Sequence, residues 1–259
     1  MAKQGFIKTA EEIEIIREGG KRLAEILSTL RDAIKPGMTT GELDKLAEKL
    51  MREGGDEPAF LHYTPEGMTI PYPGSLCVSV NDEIVHGIGG NRVLNEGDII
   101  GIDTGIKHNG LYTDSALTVP VGKIDASAQK LIVVTEGALM AGINEARAGK
   151  TTGDIGNAIE EYVKSYGLVV VEELGGHGVG YKQHEDPHIS NYGEKGKGTR
   201  LQAGMVLALE PIVNEGTRYI KLMPDGYTYV TRDHKRSAHF EHTILITDGP
   251  AEILTQRIA

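Results

Sequence analysis

The sequence predicts an α+β domain in which a helix pair followed by antiparallel strands occurs twice. Three observations carry this reading. Apolar residues recur at helical spacing in two places, a phrase of eight residues returns between helical patterns, and runs rich in β-branched residues follow each helix pair. In the first half, Ile13, Ile16, Gly20, Leu23, Leu27, Leu30 and Ile34 line one face of a helix over 10–34. Lys35-Pro36-Gly37 stops it, and Thr39 with Glu42 forms a capping box that opens a second helix through Leu43, Leu46, Ala47 and Leu50. The phrase PGMTTGEL at 36–43 is echoed by AGKTTGDI at 148–155, keeping Gly37/Gly149, Thr39/Thr151, Thr40/Thr152 and Gly41/Gly153, so the halves read as a duplication over 10–120 and 121–259.

Strands are expected at 76–80, 98–106 and 111–119, with His108-Asn109-Gly110 as a hairpin turn between the last two. The second half supplies 205–213, 227–230 and 239–246, and the helices are expected to cover one face of the curved sheet. NYGEKGKGT at 191–199 reads as an exposed loop within one domain of 1–259, preceded by a short tail over 1–9.

With 27 Lys+Arg against 37 Asp+Glu, the net charge of −10 and the lack of a basic run argue against a nucleic-acid surface. The N-terminus lacks the apolar run of a signal peptide, and no stretch approaches a membrane span. One cysteine, Cys77, excludes an intrachain disulfide and multi-cysteine metal motifs. A cytoplasmic protein with no membrane partner is expected.

The chemistry is carried by acids placed among apolar residues. Asp103 lies six residues after Gly97 in one strand run, and Glu210 lies six residues after Gly204 in another. A buried carboxylate loses its hydration and requires compensation, for which a salt bridge is the ordinary solution. Asp114, on the strand hairpinned to that of Asp103, and Glu241, in HFEHTILI, change the balance. Repeat symmetry would gather all four acids at mid-sheet, where like charges raise one another's pKa steeply. Two divalent ions neutralise them, 4 × (−1) + 2 × (+2) = 0, and oxygen-rich dinuclear centres serve hydrolysis. Such a donor set accepts Co, Mn, Fe or Zn. His177, within GGHGVG at 175–180, joins them, with His184 seven residues on.

Two superficial motifs fail. HEDPH at 184–188 has the H-E-x-x-H spacing, but Asp186-Pro187 breaks the helix that a single-zinc site needs. AGKTTG at 148–153 looks like the end of a phosphate loop, yet the glycine required five residues before Gly149 is Asn144.

With Asp103, Asp114, His177, Glu210 and Glu241 in that order, the chain resembles the type I methionine aminopeptidases of the pita-bread group. VNDEIVHGI at 80–88, IDTGIKHNGLYTD at 102–114, GGHGVGYKQHEDP at 175–187, LALEPIV at 207–213 and FEHTIL at 240–245 carry the resemblance. It implies a pita-bread fold and removal of the N-terminal methionine from nascent chains by attack of a water or hydroxide bridging two metals. Position by position, it implies that Asp103 chelates one metal, Asp114 and Glu241 bridge both, and His177 and Glu210 hold the other. Glu210 would take the proton of the water, His184 would stabilise the oxyanion and His86 would contact the scissile amide. A monomer that meets the ribosome transiently is also implied.

The resemblance places Tyr72, Cys77 and Tyr227 around the methionine side chain, where polarisable walls suit a thioether. Thr69 and Gln183 stand where aromatic residues are common, Tyr227 stands where many bacterial members have tryptophan, and Glu66 falls near another wall position. IDTGI leans toward the proline-specific relatives, so a wider first-residue preference is one alternative. The rivals are a proline-directed peptidase of the same group, whose large N-terminal domain this chain reads without, and an inert peptide-binding module, whose mark is the loss of ligands. Cys77 reads as a small buried hydrophobe for which hydrolysis has no need.

Overall fold

The computed structural model describes residues 6–65 and 67–257. Among the described residues there are four helices, α1 (Ala10–Ala33), α2 (Thr40–Glu53), α3 (Ala126–Glu145) and α4 (Thr152–Ser165). Thr39 caps α2 through a reciprocal bond with Glu42, and Thr151 caps α4 in the same way with Asp154. The match between the halves extends outward from these caps. Gly37 and Gly149 have φ of 89° and 90°, while Thr39 bridges Val93 and Thr151 bridges Arg200. Thr9 and Glu12 form a third capping box at the start of α1, which a search for repeats does not reveal.

The hairpin expected at Asn109-Gly110 joins the strands Ile99–His108 and Leu111–Pro120 through two residues with positive φ, the geometry of a tight hairpin turn. Together with Cys77–Val80 and Glu57–Pro58 they form a four-stranded sheet. A five-stranded sheet runs Glu252–Ile253, His242–Leu245, Val206–Leu209, Gly175–Gly178, Glu185–Ser190, and two three-stranded sheets complete the framework. Every pairing among the described strands is antiparallel.

Period-2 alternation decides where the site falls. Ile100, Ile102 and Ile106 enter the main core with Leu23, Leu27 and Leu30 of α1 and Leu43 of α2, so Asp103 points to the opposite face. Helix α1 approaches the C-terminal strand so closely that a Cβ on Gly20 would lie 2.3 Å from the Leu254 carbonyl oxygen.

Two expected strands are interrupted. The run 205–213 divides into Val206–Leu209 and Ile212–Asn214, which belong to different sheets, because Pro211 has no N–H for a continuous ladder. The run 239–246 likewise divides into Ser237–His239 and His242–Leu245. Glu210 and Glu241 therefore occupy the breaks between strands. The segment 184–188 enters the strand Glu185–Ser190, in agreement with rejection of a helical zinc motif. Ile7 pairs with Met205 and Lys8 is buried against Glu185, so residues 6–9 are tied to the fold. Residues 1–5 of the expected tail lie outside the described residues.

Candidate metal centre and substrate pocket

The acids gather by register. Asp103 is paired with Ala116, and Gly105 is paired with Asp114, which puts the two aspartates diagonally on one face of the hairpin. On the other side of Ala116, the Glu241 N–H donates to the Ala116 carbonyl at 2.9 Å. Asp103 and Glu241 thus flank an alanine small enough to leave room between two carboxylates. Hydroxyls fasten the halves at this seam. Ser115 Oγ donates to the Glu241 carbonyl at 2.8 Å, and Thr243 Oγ1 donates to the Asp114 carbonyl at 2.7 Å while accepting the Asp114 N–H at 3.0 Å.

His177 arrives from the neighbouring sheet, paired with Ala208. Its glycine neighbours are required by close packing, since a Cβ on Gly176 or Gly178 would lie 2.3 Å from the carbonyl oxygen of Ala208 or Asp186. His177 Nδ1 lies 2.9 Å from the Gly178 carbonyl oxygen, which can only accept, so Nδ1 carries the proton and the Nε2 lone pair faces the acids. His177 Nε2 is 3.6 Å from Glu210 Oε1 and 4.0 Å from Asp114 Oδ2.

Among the described residues three overlapping donor groups result: Asp103, Asp114 and Glu241; His177, Glu210 and Glu241; and Asp114, His177 and His184. Within each group the ligand atoms lie within 4.8 Å of one another. The five residues singled out in the sequence as ligands are all brought together. Their chemistry fits divalent cations, because Asp103 Oδ1, Asp114 Oδ1 and Glu241 Oε1 are buried without a hydrogen-bond partner. Burial first, and mutual repulsion second, push the carboxyls of Asp103, Glu210 and Glu241 well above their ordinary range. Burial pushes Asp114 up to about 7, against hydrogen bonds from the Ser115 backbone and Gln183 that favour its charged form. Burial lowers His177 to about 3, assisted by His184, and so keeps its ring a neutral donor.

His86 and His184 stand beside this floor. Burial lowers His86 to about 4 and also lowers His184. The His184 ring packs edge-on against that of His177, with centroids 4.4 Å apart.

Above the floor opens a cavity of about 410 Å³ walled by Phe60, Tyr72, Cys77 and Tyr227. Tyr72 donates its hydroxyl to the Gly87 carbonyl at 2.8 Å, and Tyr227 donates its own to the Ile70 carbonyl. With their polar ends occupied by backbone, both rings offer apolar faces. Burial pushes the Cys77 thiol well up, so it stays protonated and serves as wall. Gln183, expected at an aromatic wall position, is buried instead beside the acids and donates to Asp114 Oδ2, where Gly105 leaves space for it. Thr69 is exposed, and Glu66 lies outside the described residues.

Sequence reasoning missed Phe60, Tyr63, Met68 and His239. Phe60, Tyr63 and Met68 all line the cavity. His239 Nε2 is buried without a hydrogen-bond partner, 3.6 Å from Glu210 Oε2. Its position in HFEH, two residues before Glu241, was the available signal.

Comparison with known proteins bears directly on this arrangement. The model of metallopeptidase family M24 matches residues 14–248. Methionine aminopeptidase 1 of Bacillus subtilis (strain 168) is 49% identical over 249 residues, covering 96% of this chain and 98% of that one. Methionine aminopeptidase of Aquifex aeolicus is 42% identical, over 95% of this chain and 96% of its own. The crystal structure of methionine aminopeptidase from Rickettsia prowazekii superposes with a TM-score of 0.93 at 37% identity, covering 96% of this chain and 99% of that one. Prolidase from Pyrococcus furiosus shares the fold at a TM-score of 0.76 and 25% identity, but only 66% of that chain is covered, against 98% of this one.

Proposed function

Because this chain belongs to the methionine aminopeptidases of metallopeptidase family M24, we propose that it removes the N-terminal methionine of peptides and nascent proteins by metal-dependent hydrolysis of the first peptide bond. The fold is the pita-bread fold, a mixed arrangement of helices and antiparallel sheets. The observation that carries the reading is an apolar pocket opening directly onto a floor of four carboxylates and an imidazole.

In this reading two divalent cations would be held, Asp103, Asp114 and Glu241 offering one set of donors and His177, Glu210 and Glu241 the other. The overlap of the donor groups at Asp114 and Glu241 supports two ions over one. When bound, such cations lower the pKa of water and polarise a carbonyl. Tyr72, Cys77 and Tyr227 receive the unbranched thioether side chain, whose flexibility suits a wall of aromatic rings and a thiol. Glu210 accepts the proton of the attacking water and returns it to the leaving amine, the general-base role of a carboxylate that lines the pocket beside the other acids. His184 directs a hydrogen bond to the carbonyl oxygen as charge develops there, and His86, at the junction of pocket and floor, contacts the scissile amide.

The partners are polypeptide N-termini met by a monomer. No described helix is long and apolar enough to cross a membrane, and the buried free thiol of Cys77 is compatible with the cytoplasm, where we place the protein. The test is chelator-stripped protein with a peptide beginning Met-Ala. Free methionine should appear only when Mn or Co is restored, and an N-acetylated peptide should stay intact; cleavage that ignores metal would refute the reading.

A further inference from the structure

The hydroxyl of Tyr63 lies 2.9 Å from His184 Nδ1, and the two rings are tilted at 51° with centroids 5.3 Å apart. Among the described residues, His184 is the hydrogen-bond partner of this hydroxyl. We infer that Tyr63 is a positioning residue for the hydrolysis, donating its O–H to His184 Nδ1 so that the ring carries its proton on Nε2 and presents that edge as a hydrogen-bond donor to the carbonyl of the scissile bond. This rests on the methionine-releasing reading above.

Two arguments fix the sense of the bond. In an uncharged phenol and imidazole pair the phenolic proton is much the more acidic, and the unprotonated ring nitrogen is the better acceptor, so O–H···N is the favoured arrangement. The reverse arrangement would place the proton on Nδ1 and leave Nε2 an acceptor, unable to stabilise negative charge on the carbonyl oxygen.

Tyr63 is held in place for this task. Its N–H donates to the Phe60 carbonyl at 2.9 Å, and its carbonyl accepts the Tyr72 N–H at 2.8 Å. The His62 N–H donates to the Tyr72 carbonyl at 2.9 Å, closing the base of the loop onto the pocket wall. Tyr72 is itself anchored through its hydroxyl to the carbonyls of Leu76 and Gly87. Pro65 and Met68 of the same loop line the cavity, so the element that roofs the side-chain pocket also sets the tautomer of the oxyanion donor. The loop therefore links recognition of the first side chain to preparation of the site 121 residues away.

The test combines kinetics with a direct view of the proton. With Met-Ala-Ser as substrate and saturating metal, Tyr63→Phe should lower kcat about five- to tenfold, roughly the worth of one hydrogen bond, and leave KM within about twofold. In a His184→Ala background the same change should have no further effect, since the two residues act as one unit. In the zinc-loaded protein, two-bond proton–nitrogen NMR spectra should show His184 with its proton on Nε2, and Tyr63→Phe should shift it toward a tautomer mixture. An equal loss in both backgrounds, an effect confined to KM, or a wild-type spectrum with the proton on Nδ1 would overturn the assignment. Failure of the wild type to release methionine would instead sink the functional reading, and the spectrum would still decide the tautomer.

Discussion

Stripping the metal should leave a protein whose stability falls as pH rises from about 4 to about 7, the reverse of ordinary acid denaturation. Asp114 is 3% exposed, and burial lifts its pKa to about 7 from the roughly 4 of an unfolded aspartate. A carboxyl raised in the folded state contributes fully below its unfolded pKa, loses that contribution as pH climbs toward the folded value, and changes no further above it. About three units at 1.36 kcal/mol each give a loss of about 4 kcal/mol from this group alone. For 259 residues, an unfolding entropy of about 2.1 cal/mol/K per residue converts this into a Tm lower by about 7 °C. The neighbouring Asp103, Glu210 and Glu241 act in the same direction. The assay is scanning calorimetry of chelator-treated protein at pH 5 and pH 7.5, beside Asp114→Asn, whose amide does not titrate and no longer repels the other three. The wild type should lose Tm across this interval, Asp114→Asn should lose less, though the three remaining acids keep part of the slope, and Mn at pH 7.5 should restore the wild type because the cation replaces the protons. A metal-free Tm that stays flat or rises, or an equal slope in Asp114→Asn, would refute the reasoning.

Other perturbations separate the parts of the site. His184→Ala should lower kcat by about 10² to 10³ with metal content unchanged, as measured by initial rates and metal analysis, since it removes a donor to developing charge. Cys77→Ala should retain kcat and raise KM for a methionine peptide by a few fold, because the thiol is protonated wall; abolished turnover would mean a nucleophile. Lys8→Met should destabilise the fold by about 3 to 5 kcal/mol by removing the cation 2.8 Å from the largely buried Glu185 carboxylate, which would be left with the Lys182 N–H, and adding Glu185→Leu should recover part of that loss in thermal melts.

How much of this was legible in sequence depended on the range of the interaction concerned. The capping boxes at Thr39 and Thr151 and the Asn109-Gly110 turn involve contacts three residues apart or fewer, and they formed where local chemistry placed them. Asp103 and Asp114 were legible because one hairpin fixes both their register and their face. Glu210 and Glu241 were recognised as buried, but the interruption of their strands was hidden by apolar runs that continue on either side. Pro211 was the visible clue to the first interruption. At the second, the Glu241 backbone leaves its own ladder to pair with Ala116, 125 positions away (241 − 116), and no local pattern records such a choice. Tyr63 was missed, and Gln183 was expected at the pocket wall and not beside Asp114, for the same reason, since their partners, His184 and Asp114, are distant in sequence. Gln183 also shows how a polar residue in a wall position can turn its amide N–H to a neighbouring acid without reaching the pocket.

The most direct test of the central claim is the release of free methionine from Met-Ala-Ser by purified protein, stripped by chelator and then supplied with Mn or Co, alongside Leu-Ala-Ser and Ala-Pro-Ala. The account predicts cleavage of the methionine peptide that depends on metal and exceeds the other two by at least an order of magnitude, a margin that both the leucine and the alanine competitor must show. Preferential cleavage of Ala-Pro-Ala, or no cleavage of any peptide by protein that demonstrably binds metal, would contradict it.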